Sequence, residues 1–366
     1  MRLILHVGMH KTGSTSIQNN LHGFTREGFE YFEFLHPNHS NFYNVMFRRR
    51  SRKRKSRIHD GRPLEETARL QQKFEKLFDD AIATSRAKHI VSSAEGVCTL
   101  TVEELRDLKR WCDARFEHTR IVCYVRPPET FMASRLQQQT VGGVLPASVE
   151  LYPNYRHRLE KFDIVFGREN VEFILFERGA LFENDVVCDF ARRCGFHFDK
   201  NDVRVANESK SLETTSVLAA RIRLGRDKGR YEDEARQRRI IANKLDDLGG
   251  TKFSLSKEFV LRELEGKEED LAWISDRLGE PVSNVEAYHV LDGNAEVSSV
   301  DDLLSRSVEN FDALLDIIRR EAARKRIDAR SIASLADVLA DVLRCKNKGA
   351  GAPAIDREQP ARSRTG

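Results

Sequence analysis

The stretch Leu3-Ile-Leu-His-Val-Gly-Met-His-Lys-Thr-Gly-Ser-Thr-Ser-Ile-Gln18 decides the fold of this chain. Leu3 to Val7 form an apolar run that reads as a buried strand, and the run stops at Gly8. A short Gly/Lys/Thr/Ser loop follows, then a segment in which Ile17 and Leu21 fall on one helix face. Strand, glycine-containing turn and helix aim backbone N–H groups and the positive end of a helix at one point, which is an anion site. Lys11 adds a cation there, and Thr12, Ser14, Thr15 and Ser16 add hydroxyl donors.

The loop is not a Walker A loop. That motif sets lysine directly after its second glycine. Here the order is Gly8-Met9-His10-Lys11-Thr12-Gly13-Ser14-Thr15, with lysine before it. The later strand candidates Lys88–Ser92 and Arg120–Val125 also lack a terminal Asp to hold Mg²⁺.

A second segment, Arg120-Ile-Val-Cys-Tyr-Val-Arg-Pro-Pro-Glu-Thr-Phe-Met-Ala-Ser134, places Arg126 at a strand end. Open α/β sheets make their ligand contacts at that edge. Pro127 and Pro128 suit a helix start, and Ser134 follows within two turns. A guanidinium and a hydroxyl so arranged can meet one phosphate.

The two segments together resemble the sulfotransferases that use 3′-phosphoadenosine-5′-phosphosulfate (PAPS), in particular the bacterial branch that opens on strand-H-x-G-x-H-K-T-G-[ST]-[ST]-S-[IL]-Q. The resemblance covers residues 1–215 well and reaches more weakly to about residue 280. It implies a 5′-phosphosulfate cradle of Lys11, Thr12, Gly13, Ser14, Thr15 and Ser16. Lys11 would sit at the bridging oxygen of the leaving group. It implies a 3′-phosphate site of Arg126 and Ser134. Val171–Leu181 and Asn207-Glu-Ser-Lys-Ser211 match later segments of that family.

The implied activity is transfer of a sulfuryl group from PAPS to a hydroxyl or amine of a carbohydrate, glycolipid or small molecule, with 3′-phosphoadenosine-5′-phosphate (PAP) leaving. The acceptor proton needs a base. Glu95, after the strand His89–Ser93, leads, and His10 is the second candidate. His6 reads as a core histidine, whereas His22, His36 and His39 are candidates to line the acceptor cleft. The chemistry requires no metal. Two other readings stay open: a nucleotide-dependent kinase, and a non-catalytic nucleotide-binding or interaction protein.

Alternating strand and helix signals predict an α/β fold: a three-layer, P-loop-like parallel sheet flanked by helices, with a helical C-terminal extension. The core is expected over 1–215, the extension over 216–345 and a disordered tail over 346–366. Leu70, Phe74, Leu77, Phe78 and Ala81 mark one amphipathic helix, and Leu105, Leu108, Cys112 and Phe116 another that starts on a Thr101-x-x-Glu104 capping box. Val187, Phe190, Ala191 and Cys194 share a helix face that stops at Gly195. In the extension, Phe311, Leu314, Leu315 and Ile318 form one stripe, and Leu335, Val338, Leu339 and Val342 a second.

At 366 residues, 40% hydrophobic, 32% charged and net charge +4, the chain has a soluble globular composition, with no run long enough for a transmembrane helix. Its six cysteines form no C-x-x-C or Cys/His cluster, and with the first strand read from Arg2 no secretory signal is expected. Reduced thiols and a cytoplasmic location are therefore expected. Arg48–Arg57 holds eight basic residues in ten and reads as a mobile insertion spanning about 48–62, suited to drawing in anions. No specific nucleic-acid partner is expected, and the oligomeric state is open.

Overall fold

The computed structural model describes residues 1–34, 36–49, 63–144, 150–204, 210–223, 242–243 and 250–303. Most of the basic run, Asn207 to Ser209, both C-terminal stripes and the tail lie outside these residues. The chain divides into two compact units. One comprises Met1–Arg135, Leu151–Ser209 and Lys257–His289, the other Leu136–Glu150, Lys210–Ser256 and Val290–Gly366.

The first unit is built on a six-stranded sheet. Its strands are β1 (Arg2–His6), β2 (Thr25–Arg26), β3 (Phe29–Tyr31), β4 (His89–Ser93), β5 (His118–Val125) and β6 (Val171–Leu175), in the order β2-β3-β4-β1-β5-β6. All neighbours are parallel except the β2–β3 hairpin. Strand β1 lies between two parallel neighbours, and its apolar run without alternation is what burial on both faces demands. The chain winds from β1 towards β3 and β4 on one side, then to β5 and β6 on the other. His6 ends β1 level with Ser93 and Val122, so the loop after it emerges where the winding reverses.

Helices cover both faces, so the α/β architecture with a mostly parallel sheet stands. On one face Ile4, Val91, Val122, Tyr124 and Ile174 pack against Ile17 and Leu21 of α1 (Ser14–Leu21) and Val187 and Phe190 of the late helix Val186–Cys194. The opposite-facing Leu3, Leu5, Ile90, Ile121 and Cys123 are equally buried. There α2 (Ser40–Phe47), α3 (Leu64–Thr84), α4 (Val102–Asp113) and α6 (Tyr155–Phe166) pack, while α5 (Pro128–Gly142) leaves the end of β5.

Local signals explain several boundaries. Thr101 accepts from the Glu104 amide at 3.3 Å, and the Glu104 carboxylate accepts from the Thr101 amide at 2.7 Å. This is the expected capping box of α4. The helix Val186–Cys194, α7, is capped by Asp185 and ends on Gly195 in the left-handed region. On α3 the buried stripe is narrower than the pattern suggests: Phe74 and Phe78 are buried while Leu77 is 38% exposed. The two rings join an aromatic cluster with Phe42 and Trp111.

Helices α8 (Leu212–Arg223), α9 (Lys257–Leu264) and α10 (Glu268–Leu278) follow. Helix α10 packs on α6 within the first unit. Asp270 accepts from the Tyr155 and Arg156 amides at 2.8 and 2.7 Å and so caps the start of α6, and Arg277 makes a two-pronged pair with Asp163 at 2.7 and 2.9 Å. In the second unit Ser211 caps α8 through the Thr214 amide, and β7 (Phe253–Leu255) pairs in parallel with β8 (Ala295–Val297). The five described cysteines are buried free thiols. Among the described residues no helix is long and apolar enough to cross a membrane.

Candidate functional site

The loop after β1 first continues the sheet. The Val7 and Met9 amides donate to Val122 and Tyr124 carbonyls at 3.0 and 2.8 Å, and the Tyr124 amide donates to Gly8 at 2.7 Å. It then turns sharply: Lys11 has φ 70° and Gly13 φ 77°. The left-handed region is costly for a residue with a Cβ, so Lys11 is held there by its surroundings. At Gly13 a Cβ would lie 2.8 Å from Val186 Cγ1, which leaves glycine as the residue that fits. The Thr12 hydroxyl is fully buried and donates to the Met9 carbonyl at 2.6 Å, so it braces the turn from inside.

Helix α1 starts at Ser14 with no side-chain cap. Among the described residues the amides of Gly13, Ser14 and Thr15 donate to no acceptor. The Ser14 hydroxyl is buried and has no hydrogen-bond partner either. Buried polar groups are ordinarily paired, so unmatched donors gathered at a helix N-terminus fit an anion. Thr15 and Ser16 are half-buried on the first turn of the same helix.

Arg126 comes to this loop from the end of β5. Its Nη1 donates to the Lys11 carbonyl at 2.8 Å and its Nε to the Thr130 hydroxyl at 3.0 Å. Burial, with nearby Arg178 acting in the same direction, pushes its pKa down to about 10, so it stays charged at neutral pH. Ser134, half-buried on α5, makes no hydrogen bond with Arg126; Thr130, one helical turn after the arginine, does. Sequence reasoning missed Thr130, although the i,i+4 spacing from Arg126 was its signal. The Tyr155 hydroxyl donates to the Arg126 carbonyl at 2.6 Å and fixes the first turn of α6 to the same strand end.

Glu95 opens a 3₁₀ turn, Glu95–Thr99, directly after β4. It abuts the loop: a Cβ on Gly8 would stand 3.4 Å from Glu95 Cβ. Helix α2 holds this turn in place, with the Ser40 hydroxyl accepting from the Gly96 amide at 2.9 Å. Lys161 of α6 closes it from the other side by donating to the Cys98 and Leu100 carbonyls at 2.6 and 2.7 Å. His10 lies beside Glu95. Burial lowers its pKa; Glu95 opposes the shift while Arg158, Lys11 and Arg135 reinforce it. The imidazole is therefore neutral at pH 7 and able to accept a proton.

The remaining histidines separate cleanly. His6 is enclosed, with Nδ1 2.8 Å from the Ser93 hydroxyl and burial pushing its pKa down to about 3. His39 was expected near an acceptor cleft; it is instead buried against Ser92 at 2.9 Å, with its pKa also pushed down to about 3 by burial. The segment that carries it folds into the turn before α2, where the rings of Tyr31 and Phe32, at and just after β3, lie 4.9 and 5.8 Å from the His39 ring. His22 and His36 are exposed after α1 and before α2. Of the basic run, Arg48 and Arg49 are described. Arg48 donates to Thr99, and Arg49 pairs with Asp107, with its amide on Glu104 at 2.8 Å.

The structure thus brings Lys11, Gly13, Ser14, Thr15, Arg126, Glu95 and His10 to one edge of the sheet. No protein-family model, curated protein or solved structure matches this chain.

Proposed function

We propose that the protein is a sulfotransferase that uses PAPS as donor and moves the sulfuryl group to an acceptor hydroxyl or amine. The observation that carries this reading is the Arg126–Lys11 contact, which joins the second anion-binding segment to the first. The Ser14 hydroxyl and the amides at the start of α1, which have no partner among the described residues, support it, because they fit a phosphate or phosphosulfate.

The donor supplies an activated sulfur whose bond to a phosphate oxygen breaks as the bond to the acceptor forms. The chain's own residues then have distinct tasks. The amides of Gly13, Ser14 and Thr15 and the Ser14 hydroxyl hold the 5′ end. Arg126 holds the 3′-phosphate, and Ser134 lies on the helix that follows it. Negative charge grows on the leaving phosphate, so the Lys11 ammonium stabilises the transition state more than the ground state. Glu95 takes the proton of the attacking hydroxyl, with neutral His10 beside it.

Incubation with ³⁵S-labelled PAPS and a panel of hydroxyl and amine acceptors tests this. Wild type should label at least one acceptor. Lys11→Met should cut turnover by about 10²–10³-fold, with a smaller effect on PAP affinity. PAP binding with no transfer to any acceptor would leave a non-catalytic nucleotide-binding protein.

A further inference from the structure

Helix α6 carries three residues at spacings of three, Tyr155, Arg158 and Lys161, which fall along one side of the helix. The two outer members are fixed: Tyr155 bonds the Arg126 carbonyl at 2.6 Å, and Lys161 bonds the Cys98 and Leu100 carbonyls at 2.6 and 2.7 Å. Arg158 is bracketed between them, and so lies between the end of β5 and the turn that begins at Glu95. From α5, Arg135 approaches the same place. The Arg135 and Arg158 guanidinium carbons stand 6.0 and 5.8 Å from the centre of one ring, Phe131. Both are half-buried, and both act on His10.

We propose that Arg158 and Arg135 receive an anionic group of the acceptor, a carboxylate or a sulfate set next to the hydroxyl that Glu95 deprotonates. The acceptor class is thus an acidic sugar or a comparable hydroxy acid rather than a neutral alcohol. This rests on the sulfotransferase reading, in which the loop and Arg126 already account for the nucleotide. The α5 and α6 guanidiniums lie outside the set of residues assigned to the nucleotide and converge on Phe131 beside His10. Guanidinium groups suit carboxylate and sulfate because their planar donors match two oxygens at once. Half-buried surroundings strengthen such a contact relative to bulk water.

The test uses the full chain saturated with PAP and a matched acceptor pair, 4-nitrophenyl β-D-glucuronide and 4-nitrophenyl β-D-glucoside, followed by calorimetry. The glucuronide should bind at least tenfold more tightly than the glucoside. Arg158→Gln and Arg135→Gln should each erase most of that preference, and Arg158→Lys should retain part of it, with PAP affinity within about twofold of wild type throughout. Unliganded melting temperatures verify that each variant is folded. Equal affinity for the two glycosides, no binding of either, or a preference that survives both substitutions would overturn the proposal. If PAP fails to bind but the glucuronide preference persists and depends on both arginines, the nucleotide reading falls and the anion site stands.

Discussion

Arg126 reaches back across 115 residues of sequence to donate its Nη1 hydrogen to the carbonyl of Lys11 at 2.8 Å. The contact fixes the loop after β1 against the end of β5 and leaves a charged group at the mouth of α1. Arg126→Ala removes a charge-assisted hydrogen bond and a buried cation together. It should weaken PAP binding by at least tenfold and lower stability by about 1–3 kcal/mol, read by calorimetry and urea denaturation. Arg126→Lys should restore less than half of the binding, because an ammonium cannot serve both the carbonyl and a phosphate with the same geometry.

Ser14→Ala separates binding from folding. The hydroxyl is buried with no partner, so its removal should leave the stability of the unliganded chain within about 0.5 kcal/mol of wild type or raise it slightly. PAP affinity should fall by about tenfold or more, the worth of a hydrogen bond to a charged group. A marked loss of thermal stability without ligand would show that the hydroxyl serves the fold.

Gly13→Ala should act on the fold instead. It forces a Cβ to φ 77° and to 2.8 Å from Val186 Cγ1, between the turn and α7. About 1–3 kcal/mol of destabilisation is expected, visible as a lowered urea midpoint. Val186→Ala in the same chain should relieve part of it by opening space on α7.

His6 and His39 give the protein an acid-sensitive core. Each is neutral in the folded state with its pKa pushed down to about 3 by burial, against 6.5 ordinarily. Below pH 6.5 the unfolded chain takes up protons that the folded chain refuses, so stability falls as pH drops from about 6.5 towards 3, by about 1.4 kcal/mol per pH unit for each histidine. Between pH 7 and 5.5 the two should together cost about 2–3 kcal/mol. Urea denaturation at both pH values checks this, and His39→Gln should remove roughly half of the difference. An identical pH slope in wild type and variant would refute the assignment.

Much of this was legible in the sequence. The run Leu3–Val7 announces a central strand because nothing in it is polar except His6, and His6 is a core residue held by Ser93. Thr101 and Glu104 announce the start of α4, and Gly195 the end of α7. Arg126 falls at a strand end next to prolines, and Glu95 just past another, so both were found from local pattern. The rest depends on distant partners. Strands β2 and β3 are too short to show a period. Helix α2 is only eight residues long, too short for its period to stand out in the sequence. His39 was misplaced because its burial is decided by distant partners, Ser92 of β4 and the rings of Tyr31 and Phe32. Arg158 gains meaning only when α5 and α6 come together at the loop.

The central claim is that the two segments grip the two phosphate-bearing ends of one adenosine nucleotide. Calorimetric titration of the full chain with PAP in the presence of EDTA, set beside Mg-ATP, tests it most directly. Saturable one-to-one binding of PAP without Mg²⁺, lost in both Ser14→Ala and Arg126→Ala to the extents given above, is the predicted result. Binding of Mg-ATP in preference to PAP, or PAP affinity that is indifferent to Arg126, would contradict it.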